Sequence, residues 1–334
     1  MNPPSRAPKP ALLLPKTRSV GQSPSSPLGS LAGDTAARIL DGVRRVVHVP
    51  DEVVETLTVA LVTGGHALIE GIPGTGKTML SRSLARLVDC SFKRIQFTND
   101  LMPSDVVGGS VWRPSEERFE FVPGPLFANI VLADEINRTS SRTLSCLLEA
   151  MEEGTVSADG ETIPLGSPFT IFATRNPIEF HGTFPIPEAA LDRFLVHVEL
   201  DYPEADLEKA LYQGRGGEAS IADLEPVVSR EELVVLTSAV PTVHLGPEVA
   251  EYAYRVVSAT REHPGTELGV SPRAAVAWSL AARARALLDG RDYVLPDDLK
   301  ALAVAVLGHR IVTRDGSTGR ERVAEVLEEA PVEL

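Results

Sequence analysis

Residues 71 to 78, GIPGTGKT, follow a short apolar run and open a helical one, the setting in which a Gly-x4-Gly-Lys-Thr loop binds phosphate. Glycines let backbone amides close around phosphate oxygens, and the N-terminus of the next helix adds positive potential. Lys77 can reach the β and γ phosphates, and the Thr78 hydroxyl can ligate magnesium. A second piece is NIVLADEINR (129–138), an apolar strand ending in Asp134-Glu135. One carboxylate is set to reach magnesium through the Thr78 shell, and the other to orient a nucleophilic water. The third piece is FTIFATRNP (169–177), where Asn176 stands just past a buried strand and offers a neutral amide to water or the γ phosphate. Alone, the Asp-Glu pair reads as a solvated strand end, and Asn176 before Pro177 as a turn residue. Coupled to the phosphate loop, both read as parts of a hydrolytic site.

These residues need a frame that presents strand ends side by side. HALIE, FKRIQF, NIVLAD, FTIFAT and FLVHVEL are short apolar runs, and helical patterns such as TMLSRSLARLV and RTLSCLLEAMEEG alternate with several of them. Such alternation predicts a parallel sheet covered on both faces. Two helices precede it, in TAARILDGVRRVV and DEVVETLTVALVTGG, and the α/β domain ends near Leu200. SVWRPSEERFEFVPG (110–124) and TVSADGETIPL (155–165) read as projecting hairpins, the second turning on Asp159-Gly160. After Tyr202 the segments REELVVLTSAV, PEVAEYAYRVVSATREH, PRAAVAWSLAARARALL and PDDLKALAVAVLGHRI read as helices with polar or proline starts. The expected fold class is therefore α/β: a P-loop parallel-sheet core with hairpin insertions over 34–202, then an all-α lid over 203–334. Residues 1–33 carry Arg6, Lys9, Lys16 and Arg18, no acid and many Pro, Ser and Gly, and are expected to form a disordered basic tail.

Composition narrows the partners. The 334 residues are 43% hydrophobic with a net charge of −14, enough for a sizeable core and unfavourable for a broad nucleic-acid face. No run approaches the roughly 18 apolar residues of a spanning helix, and ALLLP, closed by Pro15, is too short for a signal peptide. A cytoplasmic protein is expected. Cys90 and Cys146 lie inside apolar patterns and read as small buried thiols.

At this point the chain resembles a family, the AAA+ ATPases, and within them the MoxR group. The resemblance rests, in order, on GIPGTGKT, FTNDLMPSDVVG, GPLFANIVLADEINR, LLEAMEEGTV, FATRNPIEFHGTFPIPEAALDRF and GVSPRA, and covers about residues 37 to 312. It implies that Gly71, Pro73, Gly74, Thr75, Gly76, Lys77 and Thr78, with Met79 behind them, form Walker A and bind ATP. Asp134 and Glu135 fall on Walker B, with Thr78 and Asp134 holding Mg2+, and Asn176 falls on sensor 1. Arg193 falls on the arginine finger and Arg273 on sensor 2. The same resemblance implies a homo-hexameric ring. It also implies a chaperone that remodels partner proteins or inserts metal into them, often partners with a von Willebrand factor A domain. Departures are Val49-Pro50 where Gly-Gln is common, Thr139-Ser140-Ser141 in place of Ala-Pro-Pro, where hydroxyls can cap the next helix, and Arg175 in place of Gln. Competing readings are a nucleotide-gated scaffold with little turnover and a DNA-associated motor, which the acidity disfavours.

Several residues stay open at this level. Arg138 can meet a neighbouring subunit or Glu149; His181 and His309 lack metal-ligand spacing; Phe180 and Phe184 can line a pore or fill their own loop. Arg193 follows Asp192 directly, and residues one apart do not face each other on a helix, so spacing does not say what Arg193 meets.

Overall fold

The computed structural model describes residues 27–177, 184–202, 208–209, 212–213 and 221–330. The five apolar runs become strands β1 (Ala67–Gly71), β2 (Phe92–Gln96), β3 (Ile130–Asp134), β4 (Thr170–Arg175) and β5 (Val196–Leu200). All pair in parallel, in the order β5-β1-β4-β3-β2. Side chains alternate across the sheet because a strand has a period of two. Ala67, Ile69, Ile130, Leu132 and Phe172 enter one apolar cluster, and Leu68, Val131, Ala133, Ile171 and Ala173 enter the other. The three inner strands β1, β3 and β4 are therefore dry on both faces and read as continuous apolar runs, whereas β2, at the sheet edge, exposes Lys93, Arg94 and Gln96.

Helices cover the two faces. The first face receives α1 (Pro27–Arg44), α2 (Asp51–Val62) and α3 (Lys77–Leu87), and the second receives α4 (Ser141–Glu153) and the one-turn helix Pro103–Val107. Ser140 caps α4 by accepting from the Thr143 amide, as the hydroxyl-for-proline replacement suggested. Each projecting segment is an antiparallel hairpin, Gly108–Arg113 with Arg118–Pro123 and Thr155–Ala158 with Glu161–Pro164. Asp159 and Gly160 both have positive φ, 52° and 84°, as a type I′ turn requires. The two hairpins are tied together, since the Ser110 amide and hydroxyl both donate to Asp159 Oδ2 at 2.9 and 2.6 Å.

One expected boundary moves. Helix α1 begins at Pro27, inside the segment expected to be a disordered tail, while residues 1–26 lie outside the described ones. Leu28, Leu31, Ala32 and Thr35 fall on one helical stripe and pack inward. The abundance of Gly and Ser hid that stripe. Gly29 is pressed so closely on the lid that a Cβ there would lie 2.5 Å from the Gly290 carbonyl oxygen.

The lid is helical, with α5 (Arg230–Ala239), α6 (Pro247–Glu262), α7 (Pro272–Leu288), α8 (Pro296–Leu307) and α9 (Gly319–Glu329), but not all-α as expected, since Thr266–Leu268 pairs antiparallel with Val312–Thr313. Ser229, Ser271 and Thr318 cap α5, α7 and α9 through their side-chain oxygens, and proline opens α6, α7 and α8. The apolar residues of these helices belong to the same cluster as α1, α2 and α3, so lid and sheet domain share one core. Trp278 is its largest fully buried side chain, and its indole donates to the Leu299 carbonyl at 2.9 Å. Among the described residues no helix is long and apolar enough to cross a membrane. Trp278→Ala should cost about 3–5 kcal/mol of stability, checked by denaturant unfolding of the full chain.

Candidate functional site

In a parallel sheet all C-terminal strand ends lie along one edge, so the loops after β1, β3 and β4 converge there. The loop after β1 runs from Gly71 to the first residue of α3, Lys77, with Pro73 and Gly74 exposed at its tip. Gly74 and Gly76 both have φ +87°, where a side chain would be strained, and no atom lies within 4 Å of a Cβ built on Gly74. The loop is an open backbone turn. Thr75 braces it by donating to the Ile72 carbonyl at 2.9 Å, while Met79 packs against the core rather than in the loop.

Lys77 is only 7% exposed. Its ammonium donates to the Gly71 carbonyl, to the Ile72 carbonyl at 2.9 Å and to Asn176 Oδ1 at 2.9 Å. Burial lowers its pKa, against the opposing pull of Asp134, Glu135 and Glu70. The Thr78 hydroxyl donates to Asp134 Oδ2 at 3.2 Å. That pair of hard oxygens beside the open glycine turn suits a small divalent cation.

Asp134 closes β3, is 5% exposed, and accepts further bonds from the Thr174 hydroxyl on Oδ1 and from Arg94 at 2.6 Å on Oδ2. The next residue, Glu135, adopts the left-handed conformation with φ 59° and ψ 51°. Thr174 supports that turn, because its oxygen accepts from the Glu135 amide at 2.9 Å while its proton goes to Asp134. Three donors hold the Glu135 carboxylate: Asn176 Nδ2 at 2.9 Å on Oε1, and Gln96 Nε2 at 3.2 Å and Arg138 Nη1 at 2.8 Å on Oε2. Asn176 thus bridges Lys77 and Glu135 with its two amide atoms. Arg138 meets Glu135, not Glu149, which instead accepts from Ser157 at 2.6 Å.

The two other expected arginines gather elsewhere. Arg193 and Arg273 share the carboxylate of Glu152 at the end of α4, at 2.7 and 3.0 Å. A hydrogen bond from Arg273, then the charges of both arginines, hold the Glu152 carboxyl below its usual range. Asp192 pairs with Arg310 of the lid at 2.8 Å rather than with Arg193. Phe180 and His181 lie outside the described residues; the Phe184 amide donates to the Asn137 carbonyl at 2.7 Å, and its ring is about half exposed. His309 is a hydrogen-bonded residue, with Nε2 3.0 Å from the Phe194 carbonyl oxygen, and no metal cluster occurs among the described residues. Both cysteines are free and part-buried.

Sequence reasoning did not single out Arg94, Gln96, Glu152 or Thr174. Thr174 alone left a trace, two residues before Asn176 along the strand line. Gln96 sits opposite Asp134 only through the β2–β3 register, and Glu152 meets its arginines only through tertiary packing. Glu70 was also missed. It is the penultimate residue of β1 and meets Arg175 at 2.7 Å and His197 at 3.0 Å on the same oxygen. Burial pushes the Glu70 carboxyl up, but His197 and Arg175 outweigh that and hold it at about 2. A depressed carboxyl contributes stability above its unfolded value of 4.5 and loses that contribution as pH falls through about 2. Glu70→Gln should therefore lower stability at neutral pH and flatten the acid loss across that window, measured by unfolding at a series of pH values.

Comparison with known proteins shows the family. Residues 66–196 match the family described as "ATPase family associated with various cellular activities (AAA)", and residues 258–330 match the AAA lid domain. The chain is 46% identical over 275 residues to uncharacterised protein YeaC of Bacillus subtilis, covering 82% of this chain and 86% of that one. It is 39% identical over 287 residues to Chaperone MoxR1 of Mycobacterium tuberculosis, covering 83% and 76%. A solved structure from Cytophaga hutchinsonii, whose description names an ATPase, superposes with a TM-score of 0.82 at 32% identity, covering 92% of this chain and 97% of that one. With the phosphate loop, the paired carboxylates and the bridging asparagine on one sheet edge, the chain belongs to the MoxR group of AAA+ ATPases.

Proposed function

We propose that Lys77, Thr78, Asp134, Glu135 and Asn176 form one magnesium-dependent site that hydrolyses ATP, and that hydrolysis drives remodelling or maturation of a partner protein. The observation that carries this reading is the Asn176 amide, bonded at once to the lysine expected on the γ phosphate and to the glutamate expected on the attacking water. Gly71 through Thr78 would wrap the phosphates with backbone amides. Thr78 and Asp134 would hold Mg2+, which when bound neutralises charge between phosphate oxygens. Glu135, aimed by its left-handed backbone and by Asn176, would orient the water for in-line attack. Asn176, once a γ phosphate is present, would report its position to Glu135.

Arg193 and Arg273 bond to Glu152 and not to any member of this cluster. That supports a role for Arg193 on the nucleotide of a neighbouring subunit, stabilising the charge of the transferring phosphoryl, while Arg273 would touch a γ phosphate from the lid. A head-to-tail interface whose rotation closes gives a ring, hexameric by the family resemblance. The similarity to Chaperone MoxR1 supports a chaperone role, and a von Willebrand factor A protein is the proposed client class, met in the cytoplasm.

Glu135→Gln should retain ATP binding and abolish turnover, measured by nucleotide binding and steady-state phosphate release. Undiminished release would remove Glu135 from the role. Turnover per subunit should rise with protein concentration as rings assemble, and no turnover at any concentration would instead identify a nucleotide-gated scaffold. Arg193→Ala should bind ATP yet lose roughly 10³-fold or more in rate, by comparison with arginine fingers of GTPases. Mixing it with Lys77→Ala, which still donates a finger, should restore turnover.

A further inference from the structure

The loop that carries Arg193 is framed from the far end of the chain. Arg310 closes the one-turn 3-10 helix Gly308–Arg310 that follows α8, and its side chain is 5% exposed. Its guanidinium donates to Asp192 Oδ1 at 2.8 Å, to the Asp192 carbonyl at 3.0 Å and to the Phe194 carbonyl at 2.7 Å. Further bonds reach the Leu195 carbonyl at 3.4 Å and the Val306 carbonyl in the last turn of α8. The neighbouring His309 lies 3.0 Å from the same Phe194 oxygen. The backbone immediately before and after Arg193 is therefore held by one buried cation of the lid.

Burying a guanidinium carries a desolvation cost that an apolar residue in the same place would avoid. The planar fork explains the choice of arginine, because five donors in fixed directions can hold a carboxylate and several carbonyls together, which a lysine ammonium cannot. Phe194, fully buried beside the fork, fixes the other side of the same loop. Arg193 itself keeps its guanidinium outside this network, on the Ala189 carbonyl and Glu152. The backbone is thus fixed by Arg310, and the side chain is left to reach.

We propose that Arg310 is a positioning residue for Arg193: through Asp192 and the flanking carbonyls it sets where the arginine stands, and so links lid placement to hydrolysis in the next subunit. This rests on the reading of Arg193 as a trans-acting group. Displacing a catalytic group by about 1 Å can cost about 10²-fold in rate.

The test uses the full chain and the variants Arg310→Gln, Asp192→Asn, Arg193→Ala and Lys77→Ala, alone and in equimolar mixtures, with ATP binding measured beside turnover. Arg310→Gln should keep ATP affinity within about twofold and lose about 10²-fold in turnover. Mixed with Lys77→Ala it should recover turnover to the level of the Arg193→Ala mixture, because its own nucleotide site is intact and only the finger it donates is displaced. A merely structural defect of the lid would damage its own site and give no recovery. If Arg310→Gln loses its unfolding transition, Asp192→Asn, which keeps the buried arginine and removes its ion pair, carries the same test with a loss of about tenfold. Wild-type turnover in the variant used, or failure to recover where the Arg193→Ala mixture does recover, overturns the proposal. Full activity of Arg193→Ala alone would overturn the trans reading beneath it, which is a separate result.

Discussion

A buried ammonium at Lys77 is the constraint on which the site depends. Little water reaches it, so its hydrogen bonds must come from the protein, and the carbonyls of Gly71 and Ile72 have to face inward to meet it. The fold-back goes with positive φ at Gly74 and Gly76, and it leaves open space outside the turn at Gly74. The charge also has to be balanced, and Asp134, Glu135 and Glu70 supply that balance at the ends of β3 and β1. All three ammonium donors are engaged here, so meeting a phosphate exchanges at least one of these bonds for a bond to the anion.

The same economy of placement explains Glu135. A non-glycine residue in the left-handed region costs roughly 1 kcal/mol or more, and it persists only where its neighbours over-determine it. Here Thr174 holds the amide, and Asn176, Gln96 and Arg138 hold the carboxylate. The backbone reversal lets two successive carboxylates do different things: Asp134 turns to Thr78, and Glu135 turns to Asn176.

Lid and sheet domain act on each other through a shared core and through arginines. Trp278 and its neighbours join the apolar cluster that also takes in β1, α1 and α2, so lid placement is coupled to the sheet by packing. Two polar links then run from the lid to the Arg193 loop: Arg273 through Glu152, and Arg310 through Asp192 and the carbonyls beside Arg193. A change in lid angle cannot leave that loop untouched.

Much of this was legible before any coordinates. The inner strands β1, β3 and β4 were legible as apolar runs because strands buried on both faces need no polar alternation, and the Asp159-Gly160 pair became the turn whose dihedrals those residues favour. The phosphate loop, the carboxylate pair and Asn176 were legible because each is local: its chemistry is fixed by residue type and by the strand end beside it. Helix α1 was read too short, since its apolar stripe is masked by glycine and serine and becomes stable only against the lid. What met what was decided by tertiary structure alone. Sequence distance separates Glu152 from Arg273, Gln96 from Glu135 and Arg310 from Asp192, and only strand register and helix packing bring them within reach. The Asp192-Arg193 step shows the division most simply: the sequence set two opposite charges side by side, and the fold gave each a different partner, because adjacent side chains diverge while distant elements converge.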